Sequence, residues 1–230
     1  MRTVPSARSR SAFAASLILL VVAAMPAWAG AGRISPNGRP RGHSLVEWQR
    51  MYVEWLTTSS TNPLFTGACG EVVAGAYFLP ASTGPDVRLE CDVPVGVPVV
   101  VTPSGAFSEI PTYGADDAAV LADARATYAQ LLSSSVTVDG AEVSLDGVFR
   151  DAGVYDVGPV EAGSFYDVLC EDLTPPCVVD FAPGDTVRLA SLAEVLVLHP
   201  LTPGTHTVVL FDEFTFSGPL LLTAELHVHP

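Results

Sequence analysis

The second half of the chain alternates apolar and polar residues over short segments, and a packed sheet is the main thing such a pattern can become. Leu220 to Val228 is the clearest case: Leu222, Ala224, Leu226 and Val228 point one way, and Thr223, Glu225 and His227 the other. Glu194 to His199 and Thr205 to Phe211 read the same way, and the loop Pro200-Leu201-Thr202-Pro203-Gly204 reads as a hairpin between them. Val136-Thr137-Val138, Asp139-Gly140 and Glu142 to Leu145 form a strong hairpin signal, because Asp-Gly accepts the left-handed backbone of a tight turn. Further strands are expected at Glu71–Leu79, Val87–Val93, Val97–Thr102, Ser164–Leu169, Val178–Phe181 and Thr186–Ala190, each punctuated by Gly or Pro. Many short strands with regular turns predict a mainly β fold, an antiparallel β-sandwich of jelly-roll or Ig-like type.

Two helices are expected to pack on the sheets. Ser44 followed by Glu47 is a capping box, and Leu45, Trp48, Tyr52, Trp55 and Leu56 share one face of a helix near residues 44–57. The second spans 116–132, opened by Asp116 and Asp117, with Val120, Leu121, Ala124, Tyr128, Leu131 and Leu132 at three- and four-residue spacing.

The first 29 residues read as a secretory signal peptide. Arg2, Arg8 and Arg10 precede the apolar run Ala12 to Ala24, and Ala27-Trp28-Ala29 is a small-x-small cleavage signal. Residues 30–43 form an extended lead-in, and 44–230 a single domain. Past the cleavage site no run is long enough to span a bilayer, so the mature protein is expected outside the cell. The setting is then oxidising, and the four cysteines are expected as two local disulfides, Cys69–Cys91 and Cys170–Cys177. The alternative, a zinc site, lacks the close Cys pair that such sites use.

Composition narrows the function. At 49% hydrophobic and 16% charged residues the chain is not disordered. Its formal charge is −14, all the basic residues are Arg, and three of these leave with the leader. Such a surface repels phosphate backbones and anionic lipids, so no nucleic-acid partner is expected. The absence of Lys removes Schiff-base chemistry, and no Gly-x-Ser-x-Gly elbow, phosphate loop or dinucleotide fingerprint is present.

Candidate sites are few. Glu225, His227 and His229 alternate on one face of the last strand and could hold a divalent metal, with His199 and His206 near enough in sequence to contribute. Trp48, Tyr52 and Trp55 would offer a ring platform for sugars or apolar ligands if exposed, and would dock the helix if buried. Asp139, Asp146, Asp151 and Asp156 are oxygen ligands that could serve calcium, yet two of them sit in Asp-Gly turns. Asp212 and Glu213 are adjacent on a strand, face opposite sides and make a poor acid/base pair.

Several stretches resemble a family of exported bacterial β-sandwich proteins with no established activity: Gly42-His43-Ser44-x-x-Glu47-Trp48 with Trp55, Asn62-Pro63-Leu64, Cys69 with Tyr77-Phe78-Leu79, Cys91-x-Val93-Pro94-x-Gly96, and Pro200-Leu201-x-Pro203-Gly204-x-His206-Thr207. The resemblance implies export and a sandwich, and carries over no functional residue. The leading expectation is therefore a secreted, non-enzymatic protein that needs no cofactor and binds polysaccharide, another protein or a small apolar molecule. The second is a metal-dependent extracellular hydrolase using the C-terminal His pair.

Overall fold

The computed structural model describes residues 32–61, 63–82, 84–172 and 181–230, with no description of the side chains of 65 and 169–172. The expected leader, the Cys170–Cys177 bridge and most of the strand expected at 178–181 lie outside the described residues. Among the described residues the chain is mainly β, with three sheets and no closed barrel. Among the described residues no helix is long and apolar enough to cross a membrane.

The first sheet holds β1 (Glu71–Val73), β2 (Ala76–Phe78), β4 (Val99–Val101) and β10 (Leu196–Leu198), in the order β1-β2-β4-β10. The second holds β3 (Val87–Pro94), β6 (Leu131–Val138), β7 (Ala141–Glu142), β11 (Gly204–Phe214) and β12 (Gly218–His229), in the order β3-β12-β11-β6-β7. Their facing sides bury one apolar cluster. Tyr77, Val99, Val101, Leu196 and Leu198 enter it from the first sheet, and Cys91, Val136, Leu210, Leu222 and Leu226 from the second. The third sheet, β5 (Gly105–Glu109), β9 (Val187–Glu194) and β8 (Phe149–Val157), has the order β5-β9-β8. Three residues separate β4 from β5 and one separates β9 from β10, so two antiparallel strand pairs, β4 with β10 and β5 with β9, follow each other across a break. At that break the Glu194 N–H donates to the Ser104 carbonyl at 3.0 Å.

The helix α1 (Leu45–Thr58) starts at the expected capping box: the Ser44 N–H donates to Glu47 Oε2 at 2.6 Å, and the Glu47 N–H to Ser44 Oγ at 3.3 Å. It lies on the outer face of the first sheet, with Trp48, Tyr52, Trp55 and Leu56 against Ala76, Phe78, Val100 and Val197. The helix α3 (Asp117–Tyr128) covers one face of the third sheet through Val120 and Ala124, after the short turn α2 (Pro63–Thr66). Bidentate Arg188–Asp117 contacts at 2.5 and 2.6 Å hold its N-terminal end.

The hairpin at Asp139-Gly140 forms as expected, with both residues left-handed (φ 52° and 77°) and Val138 opposite Ala141. Five expectations are corrected. The second helix ends at Tyr128 and Leu131 opens β6, because the ladder to Phe214 takes these residues into the sheet. Residues 165–172 form a helix, α4, not a strand; Asp167 accepts the Gly163 N–H at 2.6 Å at its start, and Tyr166 is buried against Phe181. Residues 200–203 do not close a hairpin: β10 and β11 belong to different sheets, so this loop crosses between layers. Nor is the pairing wholly antiparallel. β3 runs parallel to β12, with Cys91 opposite Leu226, and β2 runs parallel to β4. The second case follows from the path, since the chain leaves β2 for β3 in the facing sheet and then returns to β4. Finally, α2 and α4 add to the two helices expected.

Candidate functional site

The break between β4 and β5 opens into a cleft of about 220 Å³. It is lined by Val53 and Leu56 of α1, Phe107 of β5, Leu192 of β9, and Phe214 and Leu220 of the β11–β12 hairpin. Phe216 stands at the hairpin tip, 62% exposed, and packs at a tilt against Phe214 with ring centroids 5.2 Å apart. The walls are predominantly apolar, as ligand-binding clefts are.

Thr102, Ser104 and Asp212 bring polar groups to this cleft. Asp212 lies on the inward parity of β11, opposite Ser134 of β6 and Leu220 of β12, and is 6% exposed. Glu194, the last residue of β9, takes hydrogen bonds from Ser104 Oγ at 2.7 Å and Ser134 Oγ at 2.5 Å. Neither carboxyl forms an ion pair with any described residue. Burial and then the Glu194 charge push the Asp212 carboxyl up to about 7. Two buried oxygens at the cleft, Thr102 Oγ1 and Asp212 Oδ1, have no hydrogen-bond partner. Buried polar atoms are nearly always paired, so these two oxygens on one cleft are open to a hydrogen bond from a bound group.

A second carboxyl is perturbed away from the cleft. Glu109 is 1% exposed, and burial, reinforced by the Asp123 charge, pushes it up to about 7. Both shifts carry a stability consequence. Below about pH 4 the native and unfolded chains alike hold these protons. Between about 4 and 7 the unfolded chain has released them and the native state has not, so stability falls as pH rises, and above about 7 the loss is complete. The Glu109 share is ~3 kcal/mol, a drop in Tm of ~6 °C or more between pH 5 and pH 8. A Glu109→Gln, Asp212→Asn double variant should lose that slope in calorimetric scans. A wild-type Tm that rises across this range would contradict the assignment.

The sites expected from sequence fall elsewhere. Trp48, Tyr52 and Trp55 are 0%, 2% and 5% exposed and pack around Phe78, with ring centroids 5.7–5.8 Å away. They dock α1 and offer no exposed platform; Tyr52 alone reaches the cleft, and its hydroxyl donates to the Leu79 carbonyl at 2.9 Å. Glu225, His227 and His229 do share the outer face of β12. His227 Nε2 is 3.6 Å from Glu225 Oε1, whereas His229 Nε2 is 2.9 Å from Asp92 Oδ1 of β3, and the two imidazoles stack at 6.3 Å. His199 is exposed. His206 is buried and bridges Asp139 Oδ2 at 2.8 Å and the Thr202 carbonyl at 2.9 Å. Among the described residues no group of three or more His, Cys, Asp or Glu is placed to hold a metal ion. The central aspartates are separately engaged: Asp139 with His206, Asp146 with Ser144, Asp151 with Arg125 and Asp156 with Arg188. Cys69 and Cys91 are bridged, with Cα atoms 5.4 Å apart.

The residues that sequence reasoning missed are Thr102, Ser104, Ser134 and Glu194. Only Asp212 carried a signal, as the one acid at an inward position among Val208, Leu210 and Phe214.

No protein-family model matches the chain, no curated protein matches it, and no solved structure matches its fold.

Proposed function

We propose that this is a secreted, non-enzymatic binding protein, a β-sandwich with helical layers, whose cleft takes a small apolar molecule outside the cell. One observation carries the reading: an apolar cleft of about 220 Å³ is lined by two buried oxygens with no partner. The volume falls below the ~300–1,000 Å³ of drug-sized sites and equals about seven waters at ~30 Å³ each, so the occupant is small. The Cys69–Cys91 bridge supports an oxidising compartment.

The test is calorimetric titration with 1-hexanol, which pairs an apolar body with one hydroxyl for Thr102 or Asp212. Saturable binding of one molecule per chain is expected. Ala81→Trp should weaken it at least tenfold, because Ala81 lines the cleft from a half-buried loop position and a larger side chain there fills the space without entering the core. Binding that is absent in the wild type, or unchanged in Ala81→Trp, overturns the reading.

A further inference from the structure

We propose that the cleft selects a ligand carrying one ammonium group on its apolar body, with the Asp212 carboxylate as its counter-charge and Thr102 Oγ1 as a second acceptor. This deepens the binding reading above and rests on it.

β6 and β12 oppose Asp212 with Ser134 and Leu220, neither of which titrates. The charged and titratable groups around it are Glu194 on β9, Tyr52 of α1 in the same cleft, and Tyr128 on α3, which the Glu194 charge and the Ser104 hydroxyl reach. None of them is a cation, so no described residue balances the carboxyl pair. Two serine hydroxyls donate to one Glu194 oxygen, Oε2, whereas Asp212 Oδ1 is fully buried and has no partner among the described residues. A free-standing acceptor that is 94% buried beside another acid is costly in the empty protein. An anionic ligand would add a third negative charge at the same place. A neutral donor would satisfy the hydrogen bond and leave the repulsion between the acids. An ammonium group does both at once: it has three donors, enough for Asp212 Oδ1 and Thr102 Oγ1, and its charge opposes the carboxylates. Thr102 is an independent witness, since its hydroxyl is buried, unpartnered and on a different strand end.

A pH dependence follows. The group that receives the ammonium must be ionised, and the perturbed Asp212 loses its proton near 7. Affinity should rise as pH increases through 7 and fall by up to tenfold per pH unit below it.

The experiment compares hexylammonium with 1-hexanol by calorimetry on the mature chain at pH 5.5 and pH 8. At pH 8 hexylammonium is expected to bind at least tenfold tighter than 1-hexanol, and at pH 5.5 that advantage should largely vanish. Asp212→Asn should remove the advantage at both pH values, and a wild-type circular-dichroism spectrum and cooperative unfolding transition show that the variant is folded. Hexylammonium no tighter than 1-hexanol overturns the ammonium proposal and leaves the apolar cleft standing. Binding of neither overturns both. Tight hexylammonium binding that survives Asp212→Asn places the cation elsewhere on this acidic surface and overturns the proposal as well.

Discussion

Trp48→Ala is expected to lower stability by ~4 kcal/mol, a loss of roughly 8–16 °C in Tm. Trp48 is fully buried where α1 meets the outer face of the first sheet, in edge contact with Phe78 at 5.8 Å and His43 at 5.0 Å. Truncation removes one of the two tryptophans of that layer and leaves a cavity that sheet and helix can close only by moving together. Trp48→Phe should cost far less, under ~1.5 kcal/mol, because it keeps a ring and discards an indole N–H that is buried without a partner. Urea unfolding followed by circular dichroism measures both. Equal small losses would mean that α1 is not held by this stripe.

The second large effect is expected from the Cys69→Ala, Cys91→Ala variant. The bridge joins residues 22 apart in sequence, and the loop-entropy model gives ~3.4 kcal/mol for a loop of that size. Its location raises the cost. Cys69 precedes β1 of the first sheet, while Cys91 is 1% exposed in the middle of β3 in the second. The bridge thus ties two layers whose only other covalent link nearby is the chain itself, and Cys91→Ala also removes a core sulfur. A Tm at least 8 °C below wild type is expected, with most of the loss reproduced by reducing the wild-type protein. A Tm within 2 °C of wild type would show that the two sheets hold together without it.

Which features were readable in the sequence follows from whether their cause is local. The Ser44/Glu47 box, the Asp116 cap and the Asp139-Gly140 turn are satisfied within a few residues, and all three form where expected. The inward parity of β11 and β12 was equally legible, because a period of two survives whatever the sheet pairs with. Where the deciding contact is distant, the local pattern misleads. Leu131 and Leu132 continue the helical spacing of α3, yet pairing with β11 draws them into β6. β8 escaped notice because Asp151, Gly153 and Asp156 interrupt its apolar pattern; the two acids face Arg125 and Arg188 instead. Phe165 to Asp172 is too short for period to separate helix from strand. The parallel pairing of β3 with β12 joins residues more than a hundred positions apart and has no sequence signal at all.

The cleft is the extreme case. Its lining comes from α1, α2, the loop after β2, the β4–β5 break with β5, the end of β9 and the β11–β12 hairpin, six segments that no motif links. Ser104 and Ser134 look like ordinary surface serines until the fold points both at Glu194. Conversely, the aromatic stripe and the C-terminal histidines were conspicuous because each is local. The stripe is buried under the sheet, and the histidines take separate partners on the outer face.

Mapping by amide chemical-shift perturbation tests the location of the site most directly. Titrated with 1-hexanol, the amides of Thr102 and Ser104–Phe107 and those of Asp212–Leu220 should shift together and saturate with one affinity, while those of β3 and the C-terminal half of β12 stay unmoved. Shifts centred on Asp92, Glu225, His227 and His229, or spread without saturation over the surface, would contradict the account.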